Sequence, residues 1–150
     1  MKCSVSRLSM GILVAILAHS FECTWAVGPL PEVTPGLICT VEDPDFDGLV
    51  YSEKIPHCKR NVSESDKRRV AASYGNVPRP EWKNYEFDHL IPLCAGGSND
   101  LRNIWMQPIE EALSKDKLEV QICNGLRSGT MTHETALQKV DAWITENQIY

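Results

Sequence analysis

The chain has 150 residues, with 15 Lys and Arg against 20 Asp and Glu, a formal net charge of -5 at pH 7, and 43% hydrophobic and 23% charged residues. That balance excludes a disordered chain and suits one globular core. The sign of the charge excludes a protein that holds nucleic acid by bulk positive charge.

In chain order, Lys2 and Arg7 precede an apolar run from Leu8 to Ala18, and Thr24-Trp25-Ala26 ends on a small residue. This is the layout of a cleaved signal peptide over residues 1–26, and the run falls short of the roughly 20 apolar residues that span a bilayer. A single exported domain, 27–150, periplasmic or secreted, is expected. Cleavage would remove Cys3 and Cys23 and leave Cys39, Cys58, Cys94 and Cys123, an even set in an oxidising compartment. Two disulfides are expected, each adding about 2–4 kcal/mol. Three connectivities are open, and no CxxC spacing argues for zinc.

Residues 27–37, rich in Pro and Gly, form an extended lead-in. Asp43-Pro44-Asp45-Phe46-Asp47-Gly48 has the alternating acids of a calcium loop, but Lys54 stands where the closing glutamate belongs, so an acidic turn is expected. Lys54, Lys59, Arg60, Lys67, Arg68 and Arg69 face only Glu64 and Asp66, a local reversal of the overall charge. Ser63 to Gly75 reads as a helix, with Ser63 as cap and Asp66 as the capping-box acid. Residues 77–82 lead by a loop into a hairpin: an apolar run 87–93, a loop on Gly96, Gly97, Ser98 and Asn99, and a return run ending at Trp105. A second helix is expected from Ile109 to about Cys123, with Gly125 just past its end, and a third from a Thr132 cap to about Asn147. In the third, Ala136, Leu137, Val140, Trp143 and Ile144 form the apolar stripe.

Within the hairpin, Asp88 and His89 stand side by side in an apolar strand, where ionisable groups are costly without partners. Asp88-His89-Leu90-Ile91-Pro92-Leu93, Gly96-Gly97-Ser98-Asn99, Asn103-Ile104-Trp105 and the helix 112–119 resemble the HNH, or His-Me finger, nuclease superfamily. They are similar in particular to small exported bacterial proteins with a DHLIPL motif. The resemblance implies an α+β fold with a ββα-metal core at 85–123, flanking helices and disulfides.

It also implies roles. His89 would be the general base, its ordinary pKa of roughly 6.5 suiting that task. Asp88 would hold one divalent ion, Mg2+ being the natural choice for a carboxylate. Asn103 would tie the loop to the first strand and orient the histidine. The superfamily commonly places a His or Asn four residues before a helix Lys; here that position is Glu111, either the further ligand or an i,i+4 partner of Lys115 on an exposed face. Asp116 and Glu119 are reserve ligands. The exported relatives carry an acid where Cys94 stands, so Cys94 implies a disulfide beside the hairpin, to Cys58 or Cys123, and the Cys58 pairing would draw the basic segment to the site. Lys59, Arg60, Lys67, Arg68 and Lys115 are expected on the nucleic-acid backbone. Adjacent strand residues point to opposite faces, so the aspartate must face the helix and the histidine the other side. The expected activity is metal-dependent hydrolysis of DNA or RNA that leaves a 5'-phosphate. The alternative is a non-catalytic exported binding protein on a degenerate HNH scaffold.

Overall fold

The computed structural model describes residues 2–4, 22–24 and 28–147. Lys2–Ser4 (β1) and Glu22–Thr24 (β2) pair antiparallel, and the rest of the expected signal segment lies outside the described residues. From residue 28 on, the fold is α+β: two small antiparallel hairpins, three helices and two disulfides. Among the described residues no helix is long and apolar enough to cross a membrane.

The first hairpin joins Phe46–Val50 (β3) to Ile55–Cys58 (β4), with Tyr51 and Lys54 at positive φ in the turn. Helix Glu64–Ser73 (α1) begins where the sequence places it. The Ser63 hydroxyl accepts from the Asp66 N–H at 3.2 Å, and the Asp66 carboxylate accepts from the Ser63 N–H at 3.0 Å. A cap of this kind contributes about 0.5–2 kcal/mol.

The second hairpin pairs Tyr85–His89 (β5) with Ile104–Pro108 (β6), opposing Asp88 to Trp105 and His89 to Ile104. Both strands sit earlier or later than the apolar runs suggest. β5 ends at His89 because Pro92 has no N–H to give a ladder and Leu93–Ala95 form a tight 3-10 turn. The loop closes tightly enough that a Cβ on Gly97 would lie 1.9 Å from the Ile91 carbonyl oxygen, so only glycine fits. The return strand runs past Trp105 to Pro108 and passes directly into helix Ile109–Ser128 (α2).

α2 continues one turn beyond the expected stop at Cys123. Gly125 is not its end: it is buried inside the helix, where a Cβ would meet Met131 Cβ at 2.8 Å. Gly129, left-handed at φ 70°, is the cap. Helix His133–Asn147 (α3) follows as read from its stripe, with Ala136, Val140 and Trp143 buried.

Two apolar clusters set the layers. Phe87, Ile104 and Met106 on one face of the hairpin join Val70, Ala71 and Tyr74 of α1. Ile55, Ala95, Ile122, Leu126, Ala136 and Val140 bind β4, the hairpin loop, α2 and α3 together. The disulfides are Cys39–Cys58 and Cys94–Cys123. Cys94 therefore fastens the hairpin loop to α2, not to the basic segment, and the pairing with Cys58 that would have drawn that segment in is not made. Arg60 brings it in instead.

Candidate functional site

The β5 pleat sends its two ionisable neighbours to opposite sides: His89 toward the basic segment and Asp88 toward α2. His89 is 2% exposed, and both ring nitrogens are engaged. Its Nε2 lies 2.9 Å from Asn99 Oδ1, and its Nδ1 lies 3.0 Å from an Arg60 guanidinium nitrogen. The Asn99 amide fixes the tautomer. Its Nδ2 donates to Asp45 Oδ2 at 2.9 Å and to the Lys59 carbonyl at 2.7 Å, which turns Oδ1 toward the imidazole. Nε2 therefore carries the hydrogen and Nδ1 the lone pair, which accepts from Arg60. The second Arg60 nitrogen donates to the Phe87 carbonyl at 2.7 Å.

Burial is the chief force pushing the His89 pKa below its ordinary value, helped by the charges of Arg60 and Lys115. The Asn99 hydrogen bond and Asp88 oppose it less strongly. The imidazole is thus neutral at neutral pH, with one lone pair, held by one cation.

Asp45 and Asn99 were legible only as an acidic turn and a turn residue. The three acids of that turn diverge: Asp43 accepts from Thr40, Asp45 from Asn61 and Asn99, and Asp47 pairs with Lys59. No calcium loop forms from them. Among the described residues, one group of three metal-ligating types comes together, Cys39, Asp43 and Cys58, but its two sulfurs are joined in a disulfide, which leaves no thiolate to bind an ion.

On the other side of β5, Lys115 has no exposed surface. Its ammonium donates to Asp88 Oδ2 at 3.1 Å, to Glu119 Oε1 at 2.6 Å and to the His89 carbonyl at 2.9 Å, which accounts for all three of its hydrogens. Lys115 is thus no contact for a nucleic-acid backbone; it lies inside the protein because its helix face is the one turned toward β5. Its i,i+4 partner is Glu119, not Glu111. Burial raises the Glu119 pKa, with Asp88 and Asp116 adding to the rise and Lys115 opposing it.

Glu111 stands in the first turn of α2 with one carboxylate oxygen buried and without a partner. Burial and then the neighbouring Glu110 raise its pKa. Asp88 is not among the charges that shift it. The Asp88 oxygen facing α2 is bonded to an ammonium that already sits among three oxygens, so it is not open to a divalent ion. The described residues do not fit an ion at this position. Asp116, the other reserve ligand, is exposed.

Asn103 is fully buried and braces the loop, accepting from the Ile91 N–H at 2.9 Å and donating to the Ile91 and Ser98 carbonyls at 3.1 and 2.9 Å. It does tie the loop to the end of β5, but it makes no bond to the His89 ring; orienting that ring falls to Asn99. Of the remaining expected cations, Lys59 pairs with Asp47 at 2.9 Å and Lys67 with Glu64 at 3.3 Å. Arg68 is exposed, without an ion-pair partner among the described residues. Only Arg60 reaches His89. Compared with known proteins, the chain matches no family model, no curated protein and no solved structure.

Proposed function

We propose that the chain is an exported phosphodiester hydrolase acting on nucleic acid, with His89 as general base and Arg60 as the group that binds the scissile phosphate. Two disulfides and the lack of a membrane-crossing helix among the described residues are consistent with export. The observation that carries the reading is the Arg60 guanidinium on the single lone pair of a neutral, tautomerically fixed imidazole. Guanidinium binds phosphate through two parallel hydrogen bonds, which an imidazole nitrogen cannot offer it. A phosphodiester arriving at Arg60 would draw it from Nδ1 and uncover the base beside the bond to be cut. Nδ1 would then take a proton from the attacking water as its oxygen bonds phosphorus and the bond from phosphorus to the leaving 3' oxygen breaks, that oxygen taking a proton from solvent, while Asn99, backed by Asp45, holds Nε2–H and so the ring's orientation. The order of strand, loop, strand and helix around Asp88 and His89 supports the likeness to HNH nucleases on which this reading draws. No step is assigned to a divalent ion, because Asp88 is engaged by Lys115.

The test is cleavage of plasmid DNA and of RNA by the purified chain, with Mg2+ and with EDTA. His89→Ala should abolish cleavage, and Arg60→Ala should weaken it chiefly through KM. Cleavage by His89→Ala at the wild-type rate would remove the base. Loss of wild-type cleavage in EDTA would restore an ion to the mechanism and make Lys115 the cation it displaces. A second reading, a non-catalytic binding protein, is favoured by the engagement of both His89 nitrogens and of Asp88 in the resting protein. Nucleic-acid binding with no cleavage under any divalent ion selects it.

A further inference from the structure

A groove of about 480 Å3 runs along the outer side of α1, between that helix and the segment before β5. Its floor is apolar, with Ala71 and Val77 almost fully buried, and its rim carries Arg68, Arg79 and Trp82. The Arg79 guanidinium lies over the Trp82 ring, 4.6 Å from its centroid. Trp82 in turn meets Phe87 edge to face, with centroids 4.8 Å apart. Lys67 Nζ lies 6.0 Å from the Phe87 centroid, and Arg60 holds the Phe87 carbonyl. Arg60, Lys67, Arg68 and Arg79 are therefore strung along two aromatic rings from His89 to the groove.

We infer that this line of cations and rings is a binding track for single-stranded nucleic acid, with the Arg79–Trp82 pair as its base-stacking platform. Cations at intervals track phosphates, while aromatic and guanidinium planes stack on bases, which requires the bases to be unpaired. A duplex would offer phosphates to the cations but no base face to Trp82. The track's positive charge is local in a chain whose net charge is -5, so a polyanion is directed to this face. Glu64 pairs with both Lys67 and Arg79; of the other acids nearby in the chain, Asp66 pairs with Arg69 and Glu81 accepts from Asn84. Both Glu64 pairs are exposed, and such pairs contribute little, so phosphate can replace the carboxylate. The inference rests on the proposed function for the end of the track at His89, and it names the substrate class that this site would take.

The test is fluorescence anisotropy with a labelled oligothymidylate and a duplex of equal length, in EDTA, using His89→Ala protein or, should that variant unfold, wild type with phosphorothioate strands. Single strands should bind more tightly than duplex. Binding should quench tryptophan emission, since among the described residues Trp105 and Trp143 are buried and Trp82 is not. Arg68→Ala with Arg79→Ala should weaken the single-strand Kd roughly tenfold, leave the melting temperature in place and flatten the salt dependence. Equal binding of duplex, or an unchanged Kd in the double variant, overturns the track. If His89-dependent cleavage persists in that case, the nuclease reading survives without it. If single strands bind along the track but no cleavage depends on His89, the track stands and the nuclease reading falls.

Discussion

The two faces of the β5–β6 hairpin hold neighbouring residues in opposite ways. On one face His89 is held by Arg60, an exposed residue. On the other, Asp88 is held by Lys115, which has no exposed surface. On the proposed function the first contact is exchangeable, while the second is fixed. The difference teaches that an Asp-His pair in a strand need not be a single functional unit: here the histidine face meets the basic segment, where the proposed substrate would arrive, and the aspartate face clamps the hairpin to α2.

The largest effect that would break this comparison is on stability. Lys115→Met keeps the side-chain length and removes the charge, leaving Asp88 and Glu119 facing each other with no cation between them. Removing one partner from a buried ionic cluster costs about 3–5 kcal/mol. Urea denaturation should show a loss of that size, and the triple variant Asp88→Asn, Lys115→Met, Glu119→Gln should recover most of it, since no lone charge is then buried. An undiminished midpoint in Lys115→Met would mean that Asp88 is not clamped, and would reopen it to an ion.

A smaller effect sharpens the other face. Asn99→Ala removes the acceptor that fixes the Nε2–H tautomer, together with the Asn99 bonds to Lys59 and Asn61 on either side of Arg60, and leaves the core untouched. The Asn99 bond is among the forces that raise the His89 pKa, so the variant should titrate lower still, as followed by 15N shifts of the imidazole. Cleavage should fall with kcat more than with KM, because ring orientation acts on the base and not on phosphate binding. Titration at the wild-type position in Asn99→Ala would mean that the asparagine does not orient the ring.

These two faces also mark how far the sequence could be read. The caps of α1 and α3 and the membership of both disulfides rest on local chemistry, a Ser with its Asp, a Thr before an apolar stripe, an even set of cysteines, and the structure has them. What was not legible depends on separation. Asn99 meets Asp45 across 54 residues, and Lys115 meets Asp88 across 27. Nothing in the local pattern tells a lysine in the Glu111–Glu119 stretch that it will be buried, since a helix face becomes interior only when a strand is laid against it. The apolar run Leu90–Leu93 likewise reads as strand, yet Pro92 and the brace from Asn103 turn it away from the ladder. Asn103 was legible as a loop tie, but its lack of contact with the imidazole was not.

The smallest expected effect, and the one that separates the faces by sign, is the pH dependence of stability. His89 has a folded pKa below its unfolded value of roughly 6.5. As pH falls below that value the unfolded chain takes up a proton that the folded protein refuses, so the His89 face loses stability toward acid. Glu119 has a folded pKa above its unfolded value, so its contribution is fully present below the unfolded pKa and is lost as pH rises through the folded one. The two slopes oppose each other on the acid side of neutrality. His89→Ala should remove the loss of stability on going from pH 7 toward 5 relative to wild type, and Glu119→Gln should make that loss steeper, because the opposing term is gone. Chemical denaturation at half-unit steps of pH resolves the two. Parallel slopes in both variants would show that neither group changes its proton affinity on folding, and the distinction between an exchangeable and a fixed face would then rest on geometry alone.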